Sequence, residues 1–303
     1  MHDFKSSFRV LSLPLFLFLG SCMNDSGDGG RPPTGNQSTT GTFQVSLVEP
    51  TEITQGFTSV LGRVYTGPSP SSIVWKEAEK SGSCRLLTPK VPFCAVPCGS
   101  AAACVDDNKC QDFPKTVGVG KVTVKGIKTK AGATTFTMDP ISNTYQPPGG
   151  TILDFPPFAE GDAVTLSAGG DTSVSAFSVS GVGIAPLKVL NDTIILADGK
   201  PVNLTWTPPK TPSASVVTVM VDISHHGGSK GKIECEAPDI GSLEIAASLV
   251  DRLKALGMSG FPKIDISRKA TGTNTTAHVD LIIEAMVSKS LSDRKSTRLN
   301  SSH

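Results

Sequence analysis

From residue 43 onward, apolar and polar side chains alternate with a period of two, in short runs broken by proline and glycine. Residues 43–49 set Phe43, Val45 and Leu47 against Gln44 and Ser46, and residues 57–65 and 72–79 carry the same strand signature. Pro50, Gly67, Pro68 and Pro70 punctuate this first group. Beyond residue 116 the runs become regular. Residues 117–127 carry Val122 and Val124 between Lys121, Thr123 and Lys125, and residues 133–138, 163–168, 172–180, 187–190 and 193–196 follow. Turns such as Asp139-Pro140, Glu160-Gly161-Asp162 and Gly169-Gly170-Asp171 separate them. In residues 202–207, Val202, Leu204 and Trp206 share one face and Asn203, Thr205 and Thr207 the other, before Pro208-Pro209 stops the pairing.

Two stretches depart from simple alternation. Residues 215–223 are apolar on both faces, with Val217, Val219, Val221 and Ile223 opposite Val216 and Met220, which predicts a central strand covered on both sides. Residues 232–236 are its expected hairpin partner, with Ile233 and Cys235 facing the same way. Residues 243–256 instead place Leu249, Val250, Leu253 and Leu256 at helical spacing with Gly257 after them, which predicts one short amphipathic helix acting as a lid at the end of a sheet. Residues 263–267 and 277–287 complete the set, the latter with Val279, Leu281 and Ile283 on one face. Many short strands without alternating helices predict an all-β protein, an antiparallel β-sandwich, and exclude a parallel α/β sheet. Leu204-Thr205-Trp206-Thr207-Pro208-Pro209 is similar to an early strand of fibronectin type III domains, and an immunoglobulin- or fibronectin-like sandwich and a jelly-roll-like one both fit the pattern.

Residues 84–110 interrupt the alternation with cysteines spaced by prolines and glycines: Cys84, Cys94, Cys98, Cys104 and Cys110, five of the chain's 7. No helix or strand is written there, so the segment is expected to hold its shape through cross-links or a metal. The compartment bears on that choice. A short basic region with Lys5 and Arg9 leads into an apolar run over residues 10–19, too short to span a bilayer, which takes about 20 residues, and then into Leu19-Gly20-Ser21-Cys22. This resembles a bacterial lipoprotein signal peptide with its lipobox. The resemblance implies cleavage before Cys22, lipidation of its thiol and, with Met23 rather than aspartate next, sorting to the outer membrane. An exported chain meets an oxidising environment, which favours disulfides over zinc; the gaps between Cys94 and Cys98 and between Cys104 and Cys110 are also wider than usual for zinc pairs. With Cys22 lipidated, Cys84, Cys94, Cys98, Cys104, Cys110 and Cys235 remain as disulfide candidates; the odd number in the cluster means that one of its members pairs outside it, with Cys235 as the other candidate, or stays free. Spacing does not choose among the pairings, and neither a metal nor a cofactor is expected.

The ends of the chain differ from its middle. Residues 23–42 contain almost nothing apolar and read as a flexible tether. Residues 293–303, DRKSTRLNSSH, resemble a recurrent translation of a short-read sequencing adapter and are set aside as artefactual. The expected organisation is a signal peptide over residues 1–21, a tether over 22–42, N-terminal strands over 43–83, a cysteine-rich segment over 84–115, a sandwich over 116–292 and the foreign tail. Charge is nearly balanced, 28 basic against 27 acidic residues, and offers no footprint for nucleic acid. The whole is similar to uncharacterised bacterial surface lipoproteins that place a cysteine-rich knot before a β-sandwich, a resemblance that implies no activity.

Candidate chemistry is sparse. Gly227-Gly228-Ser229-Lys230-Gly231 matches a nucleophile-elbow pattern, but the strand-like residues after it fit a hairpin loop and leave Ser229 without a catalytic context. His225 and His226 could join Glu234 or Asp239 at a metal, yet adjacent side chains on a strand point to opposite faces. Asp106-Asp107-Asn108 lacks the remaining ligands of a calcium loop and reads as a turn between two cysteines. The expected function is therefore a non-enzymatic, lipid-anchored envelope protein, a structural or ligand-recognition module whose partners are the membrane, through its anchor, and a protein or glycan. The alternatives are an exported hydrolase using loop carboxylates such as Asp154, Glu160 and Asp171, and a carbohydrate-binding module, for which aromatic residues are few.

Overall fold

A computed structural model describes residues 39–50, 53–211, 214–223, 228, 230–257 and 262–294. The first strands are β1 (Thr40–Val48), β2 (Phe57–Tyr65), β3 (Val74–Ser81) and β4 (Cys84–Lys90). A small hairpin follows, β5 (Ala102–Asp106) and β6 (Lys109–Asp112), and then β7 (Thr116–Val117), β8 (Val122–Lys125), β9 (Thr135–Met138) and β10 (Thr144–Tyr145). Next come β11 (Ala163–Ala168), β12 (Phe177–Val182), β13 (Ile194–Ala197) and β14 (Val202–Thr205). The chain continues with β15 (Val216–Asp222), β16 (Lys232–Pro238), β17 (Ser242–Ile245), α1 (Ala247–Ala255), β18 (Lys263–Asn274) and β19 (Val279–Arg294).

These strands build an all-β sandwich. One face is an 11-stranded sheet whose main path runs β10-β2-β1-β19-β18-β15-β16-β4-β3; the other is a 4-stranded sheet, β12-β11-β8-β9. Period-two alternation is what buries the facing side chains: Phe43, Val45 and Leu47 from β1 and Val279, Leu281 and Ile283 from β19 meet Val122, Val124, Val164, Leu166 and Val179 in one continuous core. The sheets touch closely where β12 crosses β18. A Cβ added to Gly272 would lie 1.8 Å from the Ser180 carbonyl oxygen, so only glycine permits that approach.

Pairing is antiparallel except along one edge of β19, where β1 and then β13 run parallel to it. The large sheet is thus mixed, a feature that alternation cannot reveal because the period of two is the same in either direction. Strands from the 43–83 group and from the 116–292 group share this sheet, so the first strand is held between β2 and the last one. The ladder to β13 carries β19 through Arg294, beyond residue 292.

Four local expectations need correction. Residues 84–110 do contain strands, since β4 is a full member of the large sheet and β5–β6 is a hairpin. The helix is shorter than its periodic window: residues 242–245 pair with β14 instead, and α1 buries Leu249, Val250 and Leu253. Residues 187–190 form only a bridge, through Val189 and Trp206. Finally, β15 is central, lying between β16 and β18, but it is covered on one side; Val216 is exposed and Thr218 and Met220 are half-buried on an open face.

Candidate functional site

That open face carries a trough, and strand register explains it. Residues directly opposite one another in neighbouring strands share a face, so Met286, Ser267, Thr218 and Glu236 form one row across β19, β18, β15 and β16. Its middle members are small. The row on one side holds Glu284, Lys269 and Val216, and the row on the other holds Ser288, Asp265, Met220, Glu234 and Arg85, longer side chains that stand up as walls. The result is a cavity of about 610 Å³ running across the strands and reaching Lys80 and Gly82 at the far side.

The walls are largely fixed by their own pairing. Asp265 accepts hydrogen bonds from Ser288 Oγ at 2.6 Å and Lys263 Nζ at 2.8 Å, and Glu284 accepts one from Gln44 Nε2 at 2.8 Å. Glu234 lies 2.6 Å from Lys232 and 3.1 Å from Arg85. Burial works to raise its pKa, but the hydrogen bonds and charges of those two cations outweigh burial and hold the carboxyl below its usual range. Lys232 also sits 4.2 Å above the Trp75 ring. The floor differs. Ser267 is only 6% exposed, and among the described residues its hydroxyl has no protein partner, whereas the buried hydroxyls of Thr58 and Ser215 donate to Asp154 O and Asp239 Oδ2. A buried polar group left unpaired is uncommon and costs about 1–3 kcal/mol, so it marks a place that a ligand group can complete.

The cysteines divide into two sets. Cys84 heads β4 directly opposite Cys235 of β16, and the two are joined in a disulfide within the buried sheet. Cys94 pairs with Cys104 and Cys98 with Cys110, which ties the loop after β4 to the β5–β6 hairpin. The structure thus selects one pairing of the six. The sulfur atoms of Cys94, Cys98 and Cys104 all lie within 4.8 Å of one another, but as disulfide sulfurs they lack the thiolate charge that binds zinc. Asp106-Asp107-Asn108 is the hairpin turn, and it latches the cysteine loop. Asp107 accepts the Phe93 N–H at 3.2 Å and a Lys90 Nζ hydrogen bond at 2.6 Å, while Asn108 Oδ1 accepts the Ala95 N–H at 3.0 Å. On the outside of this latched loop Val91, Phe93 and Val96 are 74%, 70% and 79% exposed.

Among the described residues, the other candidates are not brought together. Asp154 lines a separate cavity of about 520 Å³ with Asp162; its Oδ1 accepts its neighbour's N–H and its Oδ2 lies 3.5 Å from Lys128. Glu160 accepts the Thr211 N–H and Asp171 the Thr172 N–H, and neither lines that cavity. Gly228 and Gly231 lie between the antiparallel strands β15 and β16, with a strand directly after Gly231; Gly227, Ser229, His225 and His226 are outside the described residues, as is Cys22. Among the described residues no helix is long and apolar enough to cross a membrane.

Asp239, considered above as a metal ligand, is fully buried and committed elsewhere. It accepts from Arg268 Nε at 2.5 Å, Trp206 Nε1 at 2.6 Å and Ser215 Oγ at 2.7 Å, and the remaining Arg268 donors reach the carbonyls of Ala185, Pro186 and Thr207. Every member of this network is satisfied, which makes it a core element.

No family model matches the chain, and no curated protein matches it. Among solved structures, the chain is similar to the crystal structure of chicken CNTN1 FN1-FN3 domains, with 10% sequence identity and a TM-score of 0.19, over 75% of this chain and 66% of that one. It spans just under two-thirds of that chain's length.

Proposed function

We propose that the chain is a lipid-anchored envelope protein acting as a ligand-recognition module, with the trough on the outer face of the large sheet as its recognition surface. The unpartnered, buried Ser267 hydroxyl on the trough floor carries this reading, because it offers a ligand a donor and an acceptor that no described protein group uses. The trough crosses five strands, which at about 4.8 Å per strand gives a span of about 19 Å, long enough for an extended chain. Its walls present both signs of charge. Among the described residues none lining it is aromatic, and Trp206 and Tyr145 are buried in the core, so a peptide segment fits this surface better than a sugar that needs a stacking platform. The lipobox-like Leu19-Gly20-Ser21-Cys22 supports anchoring in the outer membrane by way of Cys22.

One experimental series tests both parts. Expressed in a bacterial envelope, the chain is expected in the detergent phase and its Cys22→Ala variant in the aqueous phase; unchanged partitioning overturns the anchor. The aqueous variant is then applied to peptide and glycan arrays beside a second variant carrying Thr218→Arg, which fills the trough from a half-buried position. Binding to peptides that falls about tenfold or more on that substitution, equivalent to about 1.4 kcal/mol, supports the reading. Binding indifferent to Thr218→Arg, or cleavage of an arrayed compound, defeats it.

A further inference from the structure

The four knot cysteines sit where two different disulfide pairings are within reach. Cys98 Sγ lies 3.7 Å from Cys94 Sγ, although the two are not bonded to each other. Cys104 and Cys110 are direct cross-strand partners in the β5–β6 hairpin, also without a bond between them. Opposed residues in an antiparallel pair have Cα atoms about 4.5–5.5 Å apart, which is within disulfide reach. Cys110 is exposed and the other three are half-buried, so an external thiolate can enter. We propose that the knot is a thiol–disulfide exchange site, in which a low-molecular-weight monothiol converts the Cys94–Cys104, Cys98–Cys110 pairing into Cys94–Cys98, Cys104–Cys110.

The steps balance without an oxidant or a reductant. The monothiol's thiolate attacks Cys110 Sγ; the Cys98–Cys110 bond breaks, leaving a mixed disulfide on Cys110 and a thiolate on Cys98. That thiolate attacks the adjacent Cys94 Sγ, forming Cys94–Cys98 and releasing Cys104 as a thiolate. Cys104 then attacks Cys110 Sγ across the hairpin, forming Cys104–Cys110 and expelling the monothiol unchanged. Both original bonds join the loop to the hairpin, and both new ones lie within one or the other. Exchange therefore unlatches the loop that carries Phe93 and Val96, leaving it tied by the hydrogen bonds to Asp107 and Asn108. The Cys84–Cys235 bond is buried in the core sheet and stays out of reach.

The test uses the oxidised full chain carrying Cys22→Ser, incubated with sub-stoichiometric reduced glutathione, quenched with acid and alkylated. Trypsin cuts at Lys90 and Lys109 and elastase within residues 101–103, which separates the Cys94 and Cys98 fragment from those bearing Cys104 and Cys110. Before exchange these fragments remain disulfide-joined. After it, the Cys94 and Cys98 fragment is expected to come free at its oxidised mass, while a Cys94→Ser, Cys104→Ser double variant keeps its fragments joined. Fragments that stay joined in the parent chain, release only with a gain of hydrogen or alkyl mass, or new bonds to Cys84 or Cys235 each overturn the proposal.

Discussion

Cys84 and Cys94 are close in sequence, yet they belong to physically opposite regions. Cys84 is held in a sheet whose neighbours Leu86, Ile233 and Ala237 are buried, and its bond to Cys235 closes a separation of 151 residues across strands that hydrogen-bond to each other anyway. Cys94, Cys98, Cys104 and Cys110 close separations of 10 and 12 in a segment whose apolar side chains, Val91, Phe93 and Val96, point to solvent. In the first region the cross-link supplements a core; in the second it replaces one. A cross-link of the first kind acts on the global equilibrium, whereas the second acts on a local one, because the small knot has little burial to couple it to the sandwich.

The largest effect expected from this difference comes from the disulfides. Replacing Cys84 and Cys235 together by alanine should lower global stability by about 5 kcal/mol on the chain-entropy account of a loop this long. Replacing Cys94 and Cys104 by serine releases a short loop, worth about 3 kcal/mol on the same account, but that loss is expected within the knot. Urea unfolding of the two double variants beside the parent checks this: the first should shift the global midpoint strongly and the second hardly at all, with its loss visible as faster hydrogen exchange over residues 91–110. Equal midpoint shifts would break the comparison.

A second, slightly smaller effect separates ionic pairs in the same two regions. Asp239→Ala leaves the Arg268 guanidinium, 1% exposed, without its counter-charge and strips Trp206 Nε1 and Ser215 Oγ of their acceptor. Removing one partner of a buried pair costs about 3–5 kcal/mol. The denaturation midpoint should register that cost, and Asp239→Ala combined with Arg268→Met should recover part of it, because the second change removes the stranded charge. A double variant no more stable than Asp239→Ala would show that the network matters for packing alone.

What could be read in the sequence follows the same division. Strands with one buried face, such as β1, β8, β14 and β19, are legible because the alternation of Phe43, Val45 and Leu47, or of Val202 and Leu204, reports a sheet surface directly. β4 is obscured by its position at the head of the cysteine run, and Ser242–Ile245 falls inside a helical window because Leu243 is in step with Leu249 and Val250. The trough was out of reach for a different reason. Ser267 and Thr218 read individually as polar positions on alternating strands; only the register that sets them opposite each other turns two small residues into a floor. Arg268 gave a signal that could have been followed, a charge falling in phase with Ile264, Ile266 and Ala270 on the buried face of β18, which requires a buried counter-charge.

The smallest effect expected is the most specific to the knot. Lys90 and Asp107 both lie at the surface, yet each shifts the other: the Lys90 hydrogen bond, with help from the Phe93 N–H, holds the Asp107 carboxyl below its ordinary range, and Asp107 in turn raises Lys90. A depressed carboxyl contributes its stabilisation above its unfolded pKa and loses it as pH falls through the folded value; a raised lysine contributes below its unfolded pKa and loses it as pH rises through the folded one. The latch is therefore tightest between those limits, and it opens as pH falls through the folded Asp107 value or rises through the folded Lys90 value. Amide signals of Phe93 and Ala95 should titrate together below the usual aspartate range while amides of β15 and β18 stay unmoved. Asp107→Asn keeps an oxygen for the Phe93 N–H but removes the charge, so Phe93 should remain protected and its acid titration should disappear, with no measurable change in the global midpoint. Titration of Phe93 that survives this substitution would assign the latch to Asp106, whose carboxyl is also held low, first by the Asp107 N–H and then by Lys90.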